Sequence, residues 1–582
     1  MKKLLVYLKD YKKESVLAPL FKLLEAFFEL LVPLVMANII DQGIMNRDHV
    51  YIWKMGLCLV ALALIGLLSA ITAQFFAAKA AVGFATKLRT ALFGHIQDLN
   101  FTNIDKVGSS TMITRMTSDI NQVQNGVNMV LRLFLRSPII VFGAMIMAFT
   151  IDVESALVFV VAIPVLAIVV FGILIWTIPY YKKVQGRLDR VLGLTRENLT
   201  GVRVIRAFHR ESSEQQKFKE ENQTLAALQK FVGKISACMN PVTYVIVNAA
   251  IMVLLYMGAI KVNMGELTQG EVVAILNYMS QILVELVKLA NLIITITKAL
   301  ACADRVSFVF DIRNPESSVK PENGQLQSPN MPRAGEPYLC FDHVSLTYEG
   351  AGEKTLDNID FTVNKGDTIG IIGGTGSGKT SLVNLIPGFY PVTEGSIRLE
   401  GRDLRDYSEE ELRRRIGVVP QKAVLFKGTI SSNLKWGKPD ATEEEMWQAL
   451  ELAQAKEIVE GKDGRLEADI TQNGKNLSGG QRQRLTIARA LIRKPEILIL
   501  DDSASALDYA TDARLRKALK TLEGMTTTFI VSQRASSICH ADKIIVLDDG
   551  ALAGVGTHEE LLRSCEVYQE IYYSQYEKES AE

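Results

Sequence analysis

Cysteine is scarce: six residues in 582, at Cys58, Cys238, Cys302, Cys340, Cys539 and Cys565, with no C-x-x-C spacing. This excludes a disulfide framework and a cysteine zinc site and leaves reduced packing residues. A net charge is missing too. Lys+Arg and Asp+Glu stand at 64 each, so the balance gives no sign of a nucleic-acid partner. Nor is a secretory leader expected. Met1–Lys13 carries five lysines around Leu4, Leu5, Val6 and Leu8. Lys22, Glu25 and Glu29 then interrupt the stretch where a leader needs an unbroken apolar core and a small-residue cleavage site. Met1–Glu14 is instead expected to form a basic amphipathic helix on the inner membrane surface.

What is abundant is apolar sequence. Apolar residues make up 48% of the chain and mean hydropathy is +0.16, high for a wholly soluble protein. A chain of 582 residues exceeds what one core organises, so two or more domains are expected. Six apolar stretches, near Val16–Ile40, Ile52–Phe76, Leu131–Thr150, Ala156–Ile178, Val242–Val262 and Val272–Ile294, each reach the roughly 20 residues needed to cross a bilayer. Short links (Asp41–Tyr51, Ile151–Ser155, Lys261–Glu271) alternate with long links rich in Lys and Arg (Ala77–Val130, Pro179–Pro241), and Ile151–Ser155 has no basic residue. The positive-inside rule then puts the long links and both termini in the cytoplasm. The long links keep helical periodicity, so the spans are expected to continue past the membrane. Phe101–Thr117 and Asn198–Phe208 are expected at the tips of two helix pairs.

Charges within spans are costly and face a cavity or a partner. Glu25 and Glu29 lie one turn apart on the first span, with Lys22 a turn below Glu25; Glu285 and Lys288 lie on the sixth. Two readings stand open for Glu25, Glu29 and Glu285: a pocket for cationic or polar substrates, or internal pairing with lysines. Arg132 and Arg136 are expected to snorkel to the inner leaflet. Asp41 has two readings as well, an external gate or a solvated loop carboxylate.

Arg313–Pro337 holds five of the 16 prolines and reads as an extended connector. Beyond it, short β-branched strands alternate with helices, as in a layered α/β domain. Gly373-Gly374-Thr375-Gly376-Ser377-Gly378-Lys379-Thr380 fits G-x-x-x-x-G-K-[ST] between a strand at Asp367–Ile372 and a helix opening at Ser381. Glycines let backbone N–H groups turn inward around phosphate oxygens, Lys379 reaches the β- and γ-phosphates, and the Thr380 hydroxyl suits Mg²⁺. A nucleotide and Mg²⁺ are thus the expected ligands. Tyr348 is either a packing residue or a platform for adenine. Gln421, after the strand Ile416–Val419, places an amide near Mg²⁺ and the attacking water. Leu477-Ser478-Gly479-Gly480-Gln481 opens a helix and forms a second anion-binding shape. Ile497–Leu500 is a buried strand ending at Asp501, a carboxylate suited to Mg²⁺, and Ser505-Ala506-Leu507-Asp508 turns into the next helix. Thr527–Val531 is a further strand, ending at Ser532-Gln533-Arg534.

In this order, the motifs resemble those of the ATP-binding-cassette exporters of the six-helix type, over essentially the whole chain. The resemblance implies an α-helical membrane domain of six transmembrane helices with long cytoplasmic extensions (1–312), a linker (313–337) and an α/β P-loop nucleotide-binding domain (338–582). It implies a half-transporter in the cell membrane with both termini cytoplasmic, moving drugs or lipids against a second half. Two ATP molecules would be sandwiched, each between the Walker motifs of one half and the 477–481 signature of the other. The tips 101–117 and 198–208 would couple the domains. Two positions depart from the family. Its general base is a Glu after the Walker B Asp, where this chain has Asp502, and its switch His is Gln533 here. Gln472 also stands where Glu is usual. The expectation is the degenerate half of a heterodimer. The alternatives are an ATP-gated regulator or channel and a symmetric homodimeric lipid flippase. The N-terminal Cys/His domain of peptide exporters is not seen.

Overall fold

The structure is a computed structural model describing residues 3–314, 337–522 and 524–576. It divides into two compact units: Met1–Asp98 with Gly108–Arg313, and Leu99–Val107 with Asn314–Glu582. The expected linker 313–337 lies outside the described residues except at 313, 314 and 337.

In the first unit, six helical runs are long and apolar enough to cross a membrane: α1 (Leu4–Ile44), α2 (His49–Asp98), α3 (Ser109–Ile151), α4 (Val153–Thr200), α5 (Glu211–Met264) and α6 (Gln269–Asp311). Each runs past its apolar stretch, as the periodicity of the links predicts. Small residues let the helices approach: Ala26, Ala144, Ala148, Ala156 and Ala274 are buried in one cluster with Phe159, Leu166 and Tyr278. The Tyr278 hydroxyl donates to the Leu30 carbonyl at 2.6 Å. The N-terminal stretch is helical, but more tightly wound than an α-helix. Leu4–Tyr11 is a tight 3₁₀ turn running straight into Lys12–Asn38, and Leu4 is buried against Phe84, Leu88 and Val306. Leu4, Tyr7 and Leu8 pack on protein, while Leu5 and Val6 remain exposed on the other side of the turn.

The second unit is α/β. A four-stranded antiparallel sheet has the order β2-β1-β4-β5, from β1 (Leu339–Leu346), β2 (Leu356–Val363), β4 (Glu394–Leu399) and β5 (Arg402–Asp403). A six-stranded sheet has the order β12-β11-β3-β10-β9-β6, from β3 (Thr368–Gly373), β6 (Ile416–Val419), β9 (Ile497–Asp501), β10 (Thr527–Val531), β11 (Lys543–Asp548) and β12 (Ala551–Gly556). All its neighbours are parallel except β11–β12. β3 and β9 are buried on both faces, which explains their unbroken apolar runs. A two-stranded ribbon pairs β7 (Gly428–Thr429) with β8 (Asp469–Ile470). The short helix Phe101–Val107 belongs to this unit. The Phe101 and Phe389 rings lie 4.6 Å apart, Tyr390 donates to Asp105 at 2.6 Å, and Lys106 pairs with Glu349.

Candidate nucleotide site and membrane ion cluster

The phosphate loop follows β3 and opens the helix α7 (Lys379–Leu385). Gly378 has φ +89°, and a Cβ there would sit 2.7 Å from Leu356 Cδ2 and 3.0 Å from the Thr355 carbonyl, so only glycine fits. The Lys379 amine donates to the carbonyls of Gly373 (2.9 Å) and Gly374 (2.5 Å), across the concavity of the loop. Burial lowers its pKa, opposed by the charges of Asp502 and Asp501. Thr375 and Gly376 form the turn itself, and Ser381 sits a residue beyond Thr380. The Thr380 hydroxyl donates to Asp501 Oδ1 at 3.1 Å. These are two hard oxygens from different elements, side by side at the mouth of the parallel sheet, and such a donor set fits Mg²⁺.

Asp502 follows β9 with a left-handed backbone (φ +44°), and its N–H donates to the Val531 carbonyl at 3.0 Å. Such a conformation is uncommon for a residue with a side chain. Gln421 Nε2 approaches Asp502 Oδ2 at 3.4 Å. Burial pushes the Asp502 carboxyl above the usual range, while Gln421, Lys379 and Arg534 pull it down. Asp501 is likewise raised by burial, with the Thr380 bond opposing and the charge of Asp502 adding to the rise. Tyr348 is half-buried: its hydroxyl donates to Ser381 at 3.0 Å and its ring stands edge-on to Tyr390 at 5.1 Å.

Ser478 and Gln481 cap the helix α8 (Gly479–Leu491) reciprocally: Gln481 N donates to Ser478 Oγ at 3.3 Å and Ser478 N to Gln481 Oε1 at 3.0 Å. A Cβ on Gly479 would meet nothing within 4 Å, so that face of the turn is open, whereas one on Gly480 would lie 3.0 Å from the Ala506 carbonyl. Leu477 and Leu507 are buried beneath. The 505–508 turn thus packs on the 477–481 turn, and Asp508 caps the helix α9 (Tyr509–Leu519) by accepting from Thr511 N at 2.8 Å.

Gln533 is exposed, and its backbone is held from a direction the sequence does not announce. Gln575 donates through Nε2 to the Gln533 carbonyl (2.8 Å) and accepts at Oε1 from Ala535 N (2.9 Å). Gln575 lies beyond the short helix α10 (Glu566–Tyr573), in a polar stretch with no motif, and only the folded chain reveals its reach.

In the membrane domain, Arg136 is buried and does not snorkel, contrary to expectation. Its Nη1 donates to Glu285 at 2.8 Å and its Nη2 to Glu29 at 2.7 Å, and Glu25 lies at 3.7 Å from Nε. Lys22 pairs with Glu25 (2.5 Å), Lys288 with Glu285 (2.7 Å), and Ser137 donates to Glu285 (2.8 Å). Carboxylates on α1 and α6 thus converge on one guanidinium of α3, which supplies the pairing that the lysines only share. Glu29, Glu285 and Lys288 also line a hollow of about 500 Å³. Asp41 is tied down as well, accepting from Thr268 Oγ1 (2.6 Å) and Gly270 N (2.7 Å), so it is not a free loop carboxylate. The second tip contains the short helix Val202–Ala207, with Val204 and Phe208 strongly exposed.

Residues 15–286 match the family described as ABC transporter transmembrane region, and residues 356–505 match the family described as ABC transporter. Over 582 residues and 100% of both chains, the sequence is 36% identical to the uncharacterized ABC transporter ATP-binding protein YfiB of Bacillus subtilis. It is 31% identical to YgaD of the same organism, over 98% of each chain; the description of YgaD as a multidrug export ATP-binding/permease protein is provisional. The fold is similar to that of a solved bacterial Atm1-family ABC exporter with ATP bound, at a TM-score of 0.78 and 22% identity, covering 98% of this chain and 99% of that one.

Proposed function

This chain belongs to the ABC transporters, and from that premise we propose that it is the slow-hydrolysing half of an ATP-driven exporter. It binds ATP at its own Walker motifs and lends residues 477–481 to a partner half. The observation that carries this reading is the pair Asp502 and Gln533. Asp502 is one methylene shorter than the glutamate its family uses as base, and its carboxylate is engaged with Gln421. Gln533 hydrogen-bonds but carries no charge and relays no proton as histidine does.

The residues divide the work as follows. The inward N–H groups of 374–380 and the Lys379 amine hold the phosphates once Lys379 leaves the carbonyls of Gly373 and Gly374. Thr380 and Asp501 would hold Mg²⁺, which neutralises charge on the phosphate oxygens when bound. Gln421 and Asp502 face the attacking water. The open face at Gly479 and the Ser478 hydroxyl are directed at the partner's nucleotide. The mostly apolar spans, and the provisional multidrug role of YgaD, support a hydrophobic or amphipathic cargo. A tagged copy of this chain, isolated from its native host in mild detergent, is expected to bring down a similar half carrying Glu and His at the positions of Asp502 and Gln533. Recovery of this polypeptide alone, as a dimer with brisk ATP turnover, contradicts the assignment.

Tyr348 provides a separate test of the adenine platform. Tyr348→Ala is expected to weaken ATP binding about tenfold, the scale of one lost stacking contact, whereas Tyr348→Phe loses only the Ser381 bond and changes affinity about twofold. Calorimetric titration of the nucleotide checks both; equal losses would make the hydroxyl, not the ring, the important group.

A further inference from the structure

A hollow of about 610 Å³ lies between α4 and α5, lined by Lys183, Gly186, Arg187 and Arg190 on one side and Thr224, Leu228 and Phe231 on the other. No motif of the nucleotide site or of the charged spans involves it. Three cations face it, on successive turns of α4. One carboxylate answers them, Glu221, which pairs with Arg187 at 3.1 Å. Among the described residues, neither Lys183 nor Arg190 makes an ion pair. Lys183 lies over the Tyr180 ring at 5.4 Å, and the nearby Asp189 is engaged by Gln185. The floor is apolar: Phe231 packs edge-on against Tyr180 at 5.2 Å. The site is therefore amphipathic, with an uncompensated positive wall above an aromatic base.

Its depth relative to the membrane follows from the chain. The apolar run of α4 ends at Ile178, and exposed Trp176 and Tyr181 bracket that end, as interfacial aromatics do. At 1.5 Å per residue, Lys183 and Arg187 stand roughly 8 and 14 Å beyond Ile178, so Lys183 lies at the outer edge of a headgroup layer about 5–8 Å thick and the Arg187 backbone about a helical turn past it. Side chains on a helix lean toward its N-terminus, and the N-terminal direction of α4 here points back to the bilayer, so Arg190 also reaches toward the headgroups.

We propose that this hollow binds an anionic glycerophospholipid from the adjoining leaflet, its phosphate between Lys183, Arg187 and Arg190 and its upper acyl chain on Phe231 and Tyr180. Basic pockets between membrane helices on the cytoplasmic side bind such headgroups. The lipid would bridge α4 and α5.

The test uses the full-length chain in vesicles of equal phosphatidylglycerol and phosphatidylcholine, extracted gently, with retained lipid counted by native mass spectrometry. Two unpaired cations at the surface predict a roughly 30-fold preference for phosphatidylglycerol. The variant K183A/R190A is expected to bring the two lipids to within about twofold of parity. Both residues are exposed, so the fold tolerates the change. K217A/K219A, which removes exposed charge from α5 outside the hollow, is expected to keep the preference, and so is K183R, which keeps the charge at 183. Parity in the unaltered chain, full preference in K183A/R190A, or displacement of phosphatidylglycerol by millimolar inorganic phosphate would each overturn the lipid assignment. The readout is bound lipid and does not involve ATP turnover, so its failure is distinct from failure of the half-exporter reading.

Discussion

ATP turnover by the variant D502E/Q533H is expected to exceed that of the unaltered chain by about 100-fold or more, the scale of a positioned general base. Basicity is not what the native site lacks. Burial already pushes the Asp502 carboxyl upward, which favours proton acceptance. On the proposed half-exporter reading, reach is what it lacks, because the carboxylate ends one C–C bond short and misplacement by about 1 Å can cost about 10² in rate. Glu at this position keeps the same left-handed backbone, since both side chains meet the same penalty at φ +44°. D502E alone should recover most of the gain, and Q533H alone little, because an imidazole without a base has no water to orient. The KM for ATP should stay within about twofold, since neither change touches the Walker A loop. Phosphate release from the purified chain measures this, with Lys379→Ala as the blank. Equal turnover by the native chain and the double variant, both well above the Lys379→Ala blank, would mean that Asp502 suffices and that the symmetric reading is the better one.

The sequence made some of this plain and hid the rest, for one physical reason. Periodicity and local chemistry act between neighbours along the chain. The six apolar stretches announced α1–α6, and Gly378, Lys379 and Thr380 announced the loop between β3 and α7, because a phosphate loop is local. The reciprocal cap of Ser478 and Gln481 was implicit in a four-residue spacing. Arg136 was misjudged because its partners lie 107 and 149 residues away, and nothing local distinguishes a snorkelling arginine from a buried one. Gln575 was missed for the same reason: its two bonds to 533 and 535 span about 40 residues of intervening strands and helices. In the N-terminal basic stretch, an amphipathic face does not say which residues protein covers: Phe84 and Leu88 cover Leu4, while Leu5 and Val6 stay exposed.

Arg136→Met is expected to destabilise the membrane domain by about 3–5 kcal/mol, the cost of removing one partner from a buried ion pair. Three cations (Lys22, Arg136, Lys288) meet three carboxylates (Glu25, Glu29, Glu285), so the native cluster sums to zero. Removing the guanidinium leaves an unbalanced negative charge: Glu29 loses its ion-pair partner, and Glu285, buried at 2% exposure, keeps only Lys288 and Ser137. The surplus charge must then take up a proton or open the helices. R136M/E285M restores the balance at two against two and should recover most of the loss, because a matched apolar replacement of a buried pair is close to neutral. Thermal unfolding in detergent, followed by tryptophan emission, ranks the three proteins. The same variants separate the two readings of the carboxylates. If Glu25, Glu29 and Glu285 serve a cationic cargo, R136M frees them and binding of a lipophilic cation rises. If their task is to tie α1, α3 and α6 together, stability falls and cation binding does not improve. With Arg136 held at 2.7 and 2.8 Å by carboxylates from two other helices, the second outcome is the expected one.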